Sequence, residues 1–228
     1  MNTINLILLG VVLFSSVSCD DAAYEVNRNE NGSFITQIDA LPIEPLNDGE
    51  ISAIMLMREE EKLARDVYDS LYAKWNSNSF NNISSSEQKH MEAVLTLINK
   101  YELSGPSAQD ISGEFVNTDL QKLYNNLTET GSLSLIDAFK VGAAIEEIDI
   151  LDLQRELDTN IDNEDIIFVF ENLMKGSRNH LRSFVKNLSK LGIIYTPQYL
   201  TKEGYDEIIN TDMERGMSEG TRKRNWKN

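Results

Sequence analysis

Apolar residues recur at every third or fourth position along four long stretches of this chain, the period of helices that bury one side and wet the other. The stretches run from about Gly49 to Trp75, Ser85 to Tyr101, Leu133 to Leu157 and Glu164 to Leu191. Their ends carry start and stop chemistry. Ser84-Ser85-Ser86-Glu87 fits a capping box at the head of the second helix, Ser134 suits the N-cap of the third, and Asp162 that of the fourth. Gly105-Pro106 and Gly192 punctuate the ends of the second and fourth. About ten residues join the first and second helices and about six the third and fourth, short enough for antiparallel neighbours. About thirty residues separate the second from the third, with a short helix of their own near Asp119 to Leu127. The pattern predicts an all-α domain over 48–210: a four-helix bundle of two hairpins, with a long crossover between helices 2 and 3 carrying a short extra helix. After Gly192, Tyr195 to Leu200 reads as an extended strap, followed by a short helix from Thr201 to Ile209 and a polar tail over 211–228.

A helical wheel places several ionisable residues within the apolar arcs. In the first helix Leu56, Met57, Leu63, Ala64, Val67, Tyr68 and Leu71 mark the apolar side, and Arg58, Glu59, Lys62, Arg65, Asp66 and Asp69 the polar one. Glu60 falls inside the apolar arc and Glu61 at its margin, so this run of glutamates resolves to one interior candidate, Glu60. In the second helix Met91, Val94, Leu95, Ile98 and Tyr101 face inward, with Glu87 near the centre of that face and His90 near its edge. Glu87 and His90 form a Glu-x-x-His pair, whose spacing lets one carboxylate and one imidazole converge on the same metal ion. Glu146 sits near the centre of the third helix's apolar face, Asp149 lies within it and Glu147 flanks it. In the fourth, His180 joins Ile166, Val169, Phe170, Leu173, Leu181, Phe184 and Leu188, with Ser177 three positions earlier.

Every long helix thus sends at least one ionisable group inward. Burying unpaired carboxylates is destabilising, and a dication supplies the missing charge. Glu60, Glu87, His90, Glu146, Asp149 and His180 are therefore the expected metal ligands. Mixed carboxylate and imidazole donors suit iron or manganese, with zinc a lesser fit. Singly, each residue has a plainer role. Glu87 can close the capping box, His90 can be a satisfied core histidine, Glu60 can pair with Arg178, and Asp149 can bond to a neighbouring backbone group.

Composition narrows the function classes. The 228 residues are 41% hydrophobic and 25% charged, a globular composition, and only 4 prolines and 12 glycines interrupt them. A net charge of −16 argues against nucleic acid as a partner. Residues 1–18 read as a signal peptide, with an apolar run from Ile4 to Phe14 too short to span a bilayer. Cys19, the single cysteine, follows Ser15-Ser16-Val17-Ser18. That junction resembles the lipobox of bacterial lipoproteins, which implies lipidation at Cys19 and anchorage to the membrane of the cell envelope. The segment lacks Lys and Arg, and Ser16 stands where Leu is commoner; the other reading is a plain cleaved signal. Residues 19–47 are polar and read as a tether.

The pattern resembles the ferritin-like superfamily, in which two helices each supply a Glu and two supply Glu-x-x-His. More narrowly, Met57 to Tyr68, Gly142 to Ile150, Gly176 to Leu181 and Tyr195 to Tyr199 resemble a bacterial and archaeal ferritin-like family of uncharacterised function. The resemblance covers about Ser52 to Ile209 and implies a ferritin-like bundle. It matches Glu60, Glu87, His90, Glu146 and His180 to the superfamily's ligands. Ser177 stands where the second pair has its Glu, and Asp149 is placed to replace it. The expectation is a dinuclear iron or manganese protein, an oxidase or a dioxygen- or peroxide-reducing protein, with Tyr68 or Tyr101 close by. Two other classes stay open: envelope iron capture without turnover, and a degenerate bundle serving as an interaction module. A rubrerythrin-like electron site would need more cysteines, and a storage cage sits awkwardly with a tethered chain. A homodimer is compatible with this reading, and the sequence names no electron donor.

Overall fold

Asn47 and Glu50 begin the first long helix with a reciprocal cap. The Asn47 side chain accepts from Glu50 N at 2.9 Å, and Glu50 Oε2 accepts from Asn47 N at 3.0 Å. In this computed structural model, which describes residues 34–104 and 110–216, all regular structure is helical. The helices are α1 (34–40), α2 (Asp48–Trp75), α3 (Asn78–Lys100), α4 (Thr118–Gly131), α5 (Leu135–Thr159), α6 (Glu164–Lys190) and α7 (Lys202–Ile209). Helices α2 and α3 pack as one hairpin and α5 and α6 as another; α3 meets α6 and α2 meets α5. The crossover helix α4 lies against α2 and α5, fastened where Trp75 Nε1 donates to Gly131 O at 2.8 Å.

Two boundaries depart from the sequence reading. Helix α3 begins at Asn78, so a two-residue link replaces the expected loop, and Ser84 to Glu87 lie within the helix instead of capping it. The Asn-rich start looks like a loop by propensity. Phe80 and Ile83 are nonetheless buried, and Phe80 stacks on Phe139 with ring centroids 5.1 Å apart and leans on Phe184 at 5.7 Å. Tertiary burial outweighs the weak local preference. At α6 the cap residue is Asn163, with no side-chain cap bond, in place of Asp162. At α5 the expected Ser134 cap is present, accepting from Asp137 N at 3.0 Å.

Part of the expected tether is folded. Ile38 on α1 is fully buried, Phe34 packs on Phe168, and Lys100 Nζ holds Ile38 O at 2.8 Å and Leu41 O at 2.9 Å while pairing with Asp165. The polar side of α2 is not solvated either. Crossover residues cover it, with Lys62 Nζ donating to Ile111 O at 2.7 Å and Asp66 accepting from Gly113 N at 2.9 Å. Arg58, Lys62 and Asp66 are consequently buried. Gly192, at φ 77°, ends α6 in the left-handed conformation that glycine adopts freely. The expected signal peptide, Cys19 and the Gly105-Pro106 stop lie outside the described residues.

Candidate metal centre

Glu61 on α2, Glu87 and His90 on α3, Glu146 on α5 and His180 on α6 meet in the interior between the two hairpins. They form two ligand groups that share Glu87. In one, His90 Nδ1 lies 2.7 Å from Glu87 Oε2 and 3.1 Å from Glu61 Oε2. In the other, His180 Nδ1 lies 2.8 Å from Glu87 Oε1 and 3.4 Å from Glu146 Oε2. The candidate ligand atoms within each group all lie within 4.8 Å of one another. The two imidazoles are 5.6 Å apart and inclined by 25°.

Outer contacts orient these groups. Tyr68 Oη donates to Glu146 Oε1 at 2.6 Å, which leaves Oε2 facing His180. Ser86 Oγ lies 3.0 Å from His180 Nε2, so a proton on Nε2 turns the Nδ1 lone pair toward the carboxylates. His90 packs over Gly176, where a β-carbon would stand 2.5 Å from Nε2 and 2.6 Å from Cε1. Only glycine leaves room for that ring.

Charge in the centre is unevenly compensated. Burial raises the Glu61 carboxyl to about 7, with His90 opposing and Glu87 adding to the rise. Burial likewise raises Glu146 to about 7, against His180 and with Glu87. Burial also works to raise Glu87, but His180 and His90 overcome it and hold this carboxyl far below its usual range. Burial disfavours a charged His90, yet Glu61 and Glu87 push it up to about 10; His180 is raised likewise by Glu87 and Glu146. Glu61 Oε1, Glu87 Oε1, Glu146 Oε2 and His180 Nδ1 are buried without a hydrogen-bond partner. His180 Nδ1 is near both carboxylate oxygens, but neither contact has hydrogen-bond alignment. Three of these orphaned atoms make up the second ligand group, and converging donors of this kind fit a cation. The residues present are thus positioned to bind a metal ion.

Of the residues singled out from sequence, Glu87, His90, Glu146 and His180 come together and Glu60 and Asp149 do not join either group. Glu61 takes the place expected for Glu60. Helix α2 is buried against α3, α4 and α5 at once, so the middle of its apolar arc is not the direction of the site. The signal was present: Glu61 precedes Tyr68 by seven residues, two helical turns on one face. Glu60 does not meet Arg178, which pairs with Glu214. Ser177 bonds back to Leu173 O at 3.2 Å, and Tyr101 lies at the far end of α3, on Asp165.

Residues 50–212 match a protein family described as an uncharacterized protein domain, DUF2202. The chain belongs to this family. Both ligand groups fall inside the DUF2202 match. The chain is 52% identical over 181 residues to "Uncharacterized protein MJ0754" of Methanocaldococcus jannaschii, spanning 79% of this chain and 97% of that protein. It is also similar to the crystal structure of hypothetical protein MJ0754 from Methanococcus jannaschii, with a TM-score of 0.74 and 52% identity. That likeness covers 76% of this chain and 99% of the archaeal one.

Proposed function

We propose that this DUF2202 protein holds a dinuclear iron or manganese centre in a ferritin-like four-helix bundle and uses it to reduce dioxygen or peroxide. The observation that carries the reading is Glu87, whose two oxygens face two different histidines, as a carboxylate bridging two ions must. Glu61 and His90 would hold one ion, and Glu146 and His180 the other. Bound there, the metals supply Lewis acidity and one-electron chemistry. The chain does the rest: Tyr68 fixes Glu146, Ser86 fixes His180, and Gly176 admits His90. Ser177 is engaged with the helix backbone and would not supply the carboxylate that the superfamily pattern has at that position. Attachment to the cell envelope through Cys19 belongs to the same proposal. No helix among the described residues is long and apolar enough to cross a membrane.

The test is elemental analysis of the full chain after growth with added iron and manganese, followed by peroxide consumption by the loaded protein. About two ions per chain and turnover support the reading. Bound metal without turnover supports envelope metal capture instead, and no metal after reconstitution leaves an interaction module.

Gly176→Ala separates the two halves. Its methyl group would drive the His90 ring away from Glu61 and Glu87 while leaving Glu146 and His180 in place. Bound metal is expected to fall from about two ions per chain to about one. A variant that keeps both would show that His90 is not a ligand.

A further inference from the structure

Asp149 and Asp152 follow Glu146 along α5 at three-residue steps, a spacing that keeps all three on one side of the helix. Their exposure is graded: the Asp152 side chain is 18% exposed, Asp149 is 5% exposed, and Glu146 is fully buried. Glu60 faces this series from α2, beside Glu61. Its charge bears on both Asp149 and Asp152.

Asp149 lacks the partners that a buried acid needs, and Glu60, which shares a hydrogen bond with Asp152, has them only in part. Among the described residues no hydrogen bond or ion pair reaches Asp149, and Glu60 Oε2 is buried without a partner. Other buried acids have clear structural duties. Asp66 accepts from Lys62 and Gly113, Asp165 from Lys100 and Tyr101, and Glu50 from the backbone of Asn47, Asp162 and Asn163. Asp149 is surrounded instead by like charge, from Glu146, Glu61, Glu60 and Glu87. The cation near the outer end is Arg155, which pairs with Asp152 and with Glu156. Buried carboxyls with mainly carboxyls for company stay ionised only when a cation comes among them, and otherwise take up protons.

We propose that Asp152, Glu60 and Asp149 form an access route that hands divalent cations from the surface, between α2 and α5, to the dinuclear centre. The proposal rests on the reading of that centre given above. Asp152 captures the ion in exchange for Arg155, and Glu60 and Asp149 carry it inward. Neither belongs to a ligand group, so neither retains it. A line of acidic side chains between low-dielectric walls favours entry of cations and raises their association rate.

The experiment mixes metal-free full-length protein with Co²⁺ and follows visible absorption to its plateau, for the parent, Asp152→Asn and Glu60→Gln proteins. Both variants keep side-chain size, and far-ultraviolet circular dichroism checks their folding. Loading about tenfold slower, with the same final Co²⁺ per chain, is the expected result. Parent-like rates in both variants would overturn the route while leaving the centre intact. A lower plateau at an unchanged rate would also overturn it, by making these residues ligands. A parent protein that takes up no Co²⁺ would remove the centre itself.

Discussion

The Glu87→Ala protein is expected to lose both ions of the proposed dinuclear centre together, whereas Glu61→Ala and Glu146→Ala each lose one. Glu87 is the one side chain common to both ligand groups, with Oε2 at 2.7 Å from His90 and Oε1 at 2.8 Å from His180. Removing it takes a negative charge from each half and leaves two imidazoles 5.6 Å apart with nothing between them. Even outer-shell partners of metal ligands contribute about ten- to a hundredfold in affinity, so loss of a shared direct ligand is expected to exceed about a hundredfold for each ion. Equilibrium dialysis against iron or manganese, with the three variants side by side, reads this directly. Glu87→Gln preserves the shape and removes the charge, and it should behave like the alanine variant. If Glu87→Ala keeps one ion per chain, the halves are independent and the bridging geometry is wrong.

The parts of the centre that were legible in the sequence are those carried by a single helix. Glu87 and His90 share a face three residues apart, and Glu146 and His180 sit in the middle of their apolar arcs. Each position follows from helical period alone. What the period cannot show is how neighbours divide a helix's circumference. On α2 the sequence places Glu60 inward and Lys62 and Asp66 in water, but α4 and the crossover cover the second face. With that face covered as well, Glu61 and not Glu60 joins the candidate ligand group. The same limit explains α3. Its first seven residues have no helical signature apart from Phe80 and Ile83; both are buried, and Phe80 packs against Tyr68, Phe139 and Phe184. Gly176 was visible only as a small residue, because its role depends on a ring from another helix.

Glu147 was also misplaced on the flank of its helix, and its replacement is expected to have the largest effect on stability away from the centre. It is fully buried, and its carboxylate gathers the strap that follows α6. Tyr195 Oη donates to it at 2.7 Å, as do the backbone amides of Gln198 at 2.9 Å, Tyr199 at 2.7 Å and Leu200 at 2.8 Å. A carboxylate is suited to this task because its two oxygens accept several donors at once, and each bond to a charged acceptor exceeds a neutral one. The strap in turn seats α7, where Tyr205 packs on Tyr195 with ring centroids 6.0 Å apart. Glu147→Ala leaves three amides and a phenol without their acceptor, at a cost of about 3–5 kcal/mol. For a domain of this size the melting temperature should fall by about 10 °C. Glu147→Gln, which keeps one acceptor oxygen, should fall between this variant and the parent. Helix geometry turns Glu147 about 100° from Glu146, so metal content should be unchanged in the folded protein. Thermal unfolding followed by circular dichroism, with hydrogen exchange at the amides of Gln198 to Leu200, measures both consequences. A melting point within about a degree of the parent's, with those amides still protected, would mean that packing of Tyr195, Leu200 and Tyr205 holds the strap without the carboxylate.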